Sequence, residues 1–145
     1  MIYTYAYPRP ALTVDIIVIN KDDMDKILLI KRKNEPFKDF WALPGGFIDI
    51  DEELTESALR ELQEETGISD IKLRQFGTYG KLGRDPRGRT ISVVYYGYLT
   101  NYNQDIMAND DAKDLDWFSL NNLPALAFDH KEIISDFMEY QKSSN

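Results

Sequence analysis

The segment from Gly46 to Ile68 constrains this chain more than any other. A helix is expected from about Glu53 to Thr66, and Gly67 stands where a glycine C-cap belongs. At about 100° per residue, Leu54, Ala58, Leu62 and, more peripherally, Leu59 fall in one apolar sector. Glu61, Glu64 and Glu65 fall together on the flank of that sector, at three- and four-residue steps that make them surface neighbours. Each like-charged pair at such spacing costs a few tenths of a kcal/mol in an exposed helix. The glutamates also lie near the C-terminal end, where the helix dipole disfavours anions. Stability alone would not select this arrangement. Two readings of it are available: a solvated acidic face, or a site for a hard cation that bridges carboxylates to phosphate oxygens.

The rest of the chain reads as strands around this helix. Thr13–Asn20, with Val14, Ile16 and Val18 alternating, and Lys26–Lys31 are apolar and form a predicted hairpin across a polar turn. A short strand at Phe40–Leu43 ends at Pro44-Gly45-Gly46, and an extended piece follows at Phe47–Ile50. Further strands are expected at Leu73–Tyr79, Ile91–Leu99 and Leu115–Ser119, with a polar loop at 101–112. Asp129 opens a last helix to about Gln141, with Glu132 placed for a capping box and Ile133, Ile134, Phe137 and Met138 as its buried stripe. This order predicts an α/β fold, a mixed sheet sandwiched between helices, in one domain spanning residues 1–145. Tyr3, Tyr5 and Tyr7 alternate as in a strand that covers a sheet edge or a partner subunit, or they offer a ring to a base.

Seventeen basic against 25 acidic residues give a formal charge of −8, which argues against general nucleic-acid binding. That field also repels a phosphate ligand unless a divalent cation or a local arginine cluster reverses it. The aliphatic runs Ile16–Ile19 and Ile27–Ile30 are too short to span a membrane, and no signal peptide is read at the N-terminus. The absence of cysteine excludes thiolate metal sites and is compatible with the expected cytoplasmic location.

Gly46, five residues, Glu52, seven residues, then Arg60-Glu61-Leu62-Gln63-Glu64-Glu65-Thr66-Gly67-Ile68 resembles the Nudix box, meeting nine constrained positions over 23 residues. Trp41-Ala42-Leu43-Pro44-Gly45-Gly46-Phe47 is similar to that family's approach to the box. The resemblance implies a Nudix fold and a metal-dependent hydrolase acting on a phosphoanhydride, with Mg²⁺ as the cofactor and Mn²⁺ as a possible substitute. It further implies that Glu61, Glu64 and Glu65 ligate metal, the Gly46 carbonyl completes the shell, Arg60 orients the glutamates, and Glu52 supports Arg60 or a further metal. The catalytic base is either Glu64 or an acid of a later loop, Asp110, Asp111 or Asp114.

Three arginines within six residues, Arg84, Arg87 and Arg89, form the densest positive patch of the acidic chain. Guanidinium forks match phosphate oxygens, and a solvated surface loop is the alternative. The loop, together with Lys31-Arg32-Lys33 and Leu123–His130, resembles ADP-ribose pyrophosphatases of the family and the Nudix part of bifunctional nicotinamide-mononucleotide adenylyltransferases. This implies hydrolysis of a nucleoside diphosphate derivative, ADP-ribose, to AMP and ribose 5-phosphate, with Arg32, Arg84, Arg87 and Arg89 on the substrate. By analogy with those hydrolases a homodimer is expected. The alternatives are a pyrophosphohydrolase of oxidised dGTP-type triphosphates and a non-catalytic ADP-ribose sensor. Such sensors carry an appended DNA-binding region, whereas 16 residues follow Asp129 here. His130, the single histidine, reads as structural at the start of its helix, and Trp41 and Trp117 as core or pocket wall.

Overall fold

The computed structural model describes residues 2–100 and 112–144. Its elements run β1 (Ala11–Asn20), β2 (Lys26–Arg32), β3 (Trp41–Ala42), β4 (Gly45–Phe47), α1 (Leu54–Thr66), β5 (Arg74–Tyr79), β6 (Thr90–Leu99), β7 (Ala112–Ser119) and α2 (His130–Ser143). The sheet order is β3-β2-β1-β6-β5, with β4 joined to β1 and β7 to β2. β1 and β6 pair in parallel along their whole length, from Ala11↔Thr90 to Asn20↔Leu99. The opposite edge of β1 is shared, antiparallel, between β4 at Thr13–Asp15 and β2 at Ile19. The sheet is therefore mixed, as expected.

Strand periodicity assigns the two faces. Val14, Ile16 and Val18 of β1 point to one side, where they pack with Ala58 and Leu62 of α1. Ile17 and Ile19 point to the other, with Ile133, Ile134 and Phe137 of α2. A strand covered on both faces must read as a nearly continuous apolar run, and from Val14 to Ile19 β1 does so except at Asp15. Trp117 packs against the α1 side, and Trp41 meets Phe118 edge-on at 4.7 Å on the α2 side, so both are core.

Helix α1 opens with the Glu53 N–H donating to Glu56 Oε1 at 3.0 Å and closes on Gly67 at φ 81°. Among the described residues, no helix is long and apolar enough to cross a membrane.

Three local expectations need correction. The Asp129–Glu132 capping box does not form, because both Asp129 carboxylate oxygens are held by Arg84 at 2.9 and 2.7 Å. A bidentate ion pair is stronger than a cap bond to a neutral N–H. The extended piece expected at Phe47–Ile50 lies earlier, at Gly45–Phe47, where the two glycines let β4 approach β1. The tyrosine arm forms no strand before Ala11. Pro8 and Pro10 remove ladder donors there, and the arm contacts itself: Tyr3 stacks on Tyr5, and the Arg9 guanidinium lies 3.9 Å from the Tyr5 ring centre.

Phe137 is fully buried against Phe76 and Tyr96 at the centre of the α2 layer. Phe137→Ala is expected to cost about 3–5 kcal/mol by emptying that position. Urea denaturation read by circular dichroism checks it.

Candidate active site

The carboxylates of α1 are organised by one guanidinium. Arg60 Nε donates to both oxygens of Glu52, at 3.0 and 2.9 Å, and Arg60 Nη1 donates to Glu61 at 3.0 Å and to Glu64 at 3.3 Å. Arg60 Nη2 reaches the Phe47 carbonyl at 3.3 Å, tying the helix to the end of β4. Ser57 Oγ adds a bond to Glu52 at 2.7 Å. Hydrogen bonds from Arg60 and then Ser57 hold the Glu52 carboxyl below its ordinary range. The same contacts, led by Glu52, raise Arg60 further above its usual value. Like charges one helical turn apart are thus tolerated because a cation sits among them.

The remaining glutamate has a different partner. Glu65 is buried, and its Oε1 accepts the Gly45 N–H at 2.7 Å. At Gly46, an added Cβ would lie 2.5 Å from the Glu61 carboxylate, so only glycine permits this approach. Gly46, Glu61 and Glu65 thereby share one wall of a cavity of about 410 Å³. Glu52, Arg60 and Glu64 are not part of its lining. Among the described residues no three such side chains enclose a single point ready for an ion. Arg60 takes the centre of one group, and Gly45 holds Glu65. The donor set nevertheless fits a hard divalent cation: all its side-chain donors are carboxylate oxygens, and Glu61 and Glu64 already converge on one cationic nitrogen.

The arginine loop does not present a bare positive patch. Arg84, with a side chain only 4% exposed, is spent on Asp129. Burial opposes its charge, but Asp129 outweighs this, and its pKa is raised. Arg87, 42% exposed at the side chain, forks onto Asp85 through Nε at 3.1 Å and Nη2 at 2.8 Å. Its guanidinium also lies 5.1 Å from the Phe47 ring centre and 5.5 Å from that of Phe128. Arg32 packs on Phe128 at 5.0 Å and donates to the Pro36 carbonyl at 2.8 Å. Arg32, Arg84 and Arg87 all line the cavity; Arg89 does not, and donates instead to the Gly80 carbonyl at 2.6 Å. Of the acids expected as a loop base, Asp114 lies on β7, away from the cavity lining, and accepts the Leu115 N–H. Asp110 and Asp111 fall outside the described residues.

Several lining residues were not singled out from the sequence as site residues. Asp15 is the clearest, and its signal was available: a lone acid inside a doubly covered strand. Phe47 and Phe128 carry no such mark, since their role depends on where the arginines fold. His130 is tied to the fold, since its Nδ1 accepts the Leu43 N–H at 3.0 Å, and it also lines the cavity.

Comparison with known proteins places the fold in a family. The family model described as NUDIX domain matches residues 9–137. The chain is 49% identical over 135 residues to the ADP-ribose pyrophosphatase of Methanocaldococcus jannaschii, covering 93% of this chain and 77% of that protein. The crystallised NUDIX domain of Shewanella oneidensis NrtR, complexed with ADP ribose, aligns with a TM-score of 0.85 at 34% identity, over 94% of this chain and 91% of that one. A bifunctional NMN adenylyltransferase/ADP ribose pyrophosphatase from Francisella tularensis, complexed with AMP and a manganese ion, aligns with a TM-score of 0.79 at 36% identity. That alignment covers 94% of this chain but 43% of the bifunctional one, so this chain spans less than half of its length.

Burial lowers the pKa of His130 from its ordinary 6.5, so the folded protein keeps the ring neutral. The unfolded chain takes up a proton below about 6.5 that the folded chain refuses. Stability from this group is present above that pH and is lost as the pH falls through the depressed folded value. The slope is at most about 1.4 kcal/mol per pH unit for one proton. His130→Asn keeps an acceptor for Leu43, and denaturation midpoints between pH 7 and 5 are expected to show a shallower acid loss than in the parent.

Proposed function

The chain belongs to the NUDIX family, and from that membership we propose that it hydrolyses ADP-ribose to AMP and ribose 5-phosphate with a divalent cation, magnesium or manganese. The observation that carries this reading is the shared cavity. One wall offers the Gly46 backbone and the carboxylates of Glu61 and Glu65, and other parts of its lining offer Arg32 and Arg87. Carboxylate oxygens and guanidinium forks in one cavity suit a metal-bound diphosphate.

Glu61, Glu64 and Glu65, with the Gly46 carbonyl, would hold the cation. When bound, the cation would supply Lewis-acid polarisation of the phosphoanhydride and activation of water for its hydrolysis. The residues of the chain do the positioning. Arg60, anchored by Glu52, keeps Glu61 and Glu64 from splaying apart. Gly45 fixes Glu65 through its N–H. Arg87, steadied by Asp85 and by the Phe47 and Phe128 rings, offers its half-exposed guanidinium to the diphosphate, and Arg32 lies 5.0 Å from the same Phe128 ring centre. Arg84 acts through position: it fastens the loop to Asp129 at the start of α2.

A panel of ADP-ribose, NADH-type dinucleotides, nucleoside triphosphates and oxidised dGTP, with products separated by chromatography, tests the assignment. Magnesium-dependent formation of AMP and ribose 5-phosphate from ADP-ribose is expected. Preferred release of pyrophosphate from triphosphates would replace this reading with the nucleotide-pool alternative.

Arg60→Gln should lower kcat/KM at limiting magnesium by roughly 10- to 100-fold, the size expected for loss of a group that orients metal ligands. Raising the magnesium concentration should recover part of that loss. A deficit that is insensitive to magnesium would mean that Arg60 acts elsewhere.

A further inference from the structure

Asp15 and His130 form a polar pair beyond the α1 carboxylates, close enough to Arg84 for Asp15 to favour its charge. Strand parity brings them together. Asp15 points to the α2 side of β1, as Ile17 and Ile19 do, and Ser92 of β6 shares that side with Val94. Ser92 Oγ donates to Asp15 Oδ2. The other oxygen, Oδ1, lies 3.7 Å from His130 Nε2. Leu43 N–H occupies His130 Nδ1, so the neutral ring carries its proton on Nε2.

An N···O separation of 3.7 Å is beyond hydrogen-bond reach. A carboxylate acceptor and an N–H donor therefore stand side by side without satisfying each other. Both residues line the cavity, together with Gly45, and both are nearly buried, at 8% and 3% exposure. A Cβ at Gly45 would come within 2.5 Å of Asp15 Oδ1, so the glycine keeps the space beside that oxygen free. A carboxylate repels a phosphate oxygen, and the group it accepts must donate a proton. A hydroxyl donates one hydrogen bond and accepts another, which matches Oδ1 and Nε2–H at once.

We propose that Asp15 and His130 are a specificity-determining pair that binds a ring hydroxyl of the sugar carried by the diphosphate. The inference rests on the reading of the cavity as a nucleotide–sugar site and names the part of the substrate that reading leaves unassigned. The pair divides the cavity by charge: Arg32, Arg87 and the metal-binding wall take the diphosphate, and Asp15 with His130 takes an uncharged sugar edge. A substrate lacking that hydroxyl leaves a nearly buried carboxylate without its partner, which penalises deoxy sugars.

His130 is the only histidine in the chain, so its ring nitrogens give an unambiguous signal in protein labelled with ¹⁵N-histidine. The probes are ADP-ribose in chelator, which prevents turnover, and inorganic phosphate, with binding followed separately by calorimetry. The Nε2 resonance should move on binding ADP-ribose and stay in place with phosphate. An ADP-ribose complex that leaves Nε2 unmoved, or an equal shift with phosphate, overturns the proposal. If the substrate panel selects a different sugar nucleotide, that compound takes the place of ADP-ribose in the titration. Failure of the ADP-ribose assignment is thereby read separately from failure of the hydroxyl contact.

Kinetics supply the second arm. Analogues of the substrate, each lacking one ring hydroxyl, are compared on the parent and on Asp15→Asn, which retains an acceptor for Ser92. For one analogue the parent should lose about 10- to 100-fold in kcat/KM. Asp15→Asn should lose as much on the full substrate and little more on that analogue, because the two changes remove one interaction. Losses that multiply independently for every analogue mean that Asp15 acts only through the fold, and overturn the proposal. A thermal melt of Asp15→Asn close to that of the parent confirms that the comparison is made on folded protein.

Discussion

Strand β1 bears the rest of the molecule. It is hydrogen-bonded to β6 along one edge and shared between β4 and β2 along the other, and helices cover both its faces. Because its side chains alternate, each residue is committed to one helix layer, and a slip of one position would exchange the two sets. Such a strand tolerates a charge only where a cavity or a partner receives it. Asp15 meets both conditions: Ser92 bonds one oxygen, and the cavity lies beside it. The same stretch of β1 pairs with Gly45 and Gly46, which places the turn before α1 directly over the strand.

Charge pairing explains how an acidic chain builds an anion-compatible cavity. Arg60, Arg84 and Arg87 each bind internal carboxylates, so few guanidinium charges are left bare. A buried pair such as Arg84–Asp129 contributes little net stability against an apolar replacement, because desolvation offsets the attraction. Breaking it is another matter, since the surviving charge is left buried. Its value lies in geometry. It ties the loop after β5 to the start of α2, and in doing so takes Asp129 away from capping that helix. The more exposed Arg87 is instead steadied on two aromatic rings, a support that leaves its guanidinium accessible.

The sequence made the helices, the order of strands and the α1 carboxylates legible because each leaves a local mark: periodicity, a glycine cap, like charges at one-turn spacing. The contact of Arg60 with Glu52 and the glutamates follows from those spacings on a single helix and its approach. What was not legible depends on partners far apart in the chain. Asp129 reads as an N-cap until Arg84, 45 residues away, claims it. Arg84, Arg87 and Arg89 look equivalent in sequence, yet one is buried, one is half-exposed at the cavity, and one turns to the Gly80 carbonyl. The aromatic arm alternates as a strand should, but Pro8 and Pro10 and its own ring contacts give it another conformation.

The cavity draws on both helix layers, although α1 and α2 lie on opposite faces of the sheet. This is possible only at the end of β1, where β4 is short and its first two residues are glycines. Glu61 and Glu65 come to Gly46 and Gly45 from the α1 side, while Asp15 approaches the same Gly45 from β1 and meets His130 from α2. A side chain at Gly45 would strike the Val14 carbonyl and Asp15 Oδ1; one at Gly46 would meet the Glu61 carboxylate. Two adjacent glycines thus hold open both halves of the cavity at once. The carboxylate wall and Asp15 meet at Gly45, whose N–H holds Glu65 and whose missing side chain makes room for Asp15, so a ligand reaching both would set its charged and uncharged parts on either side of that one residue.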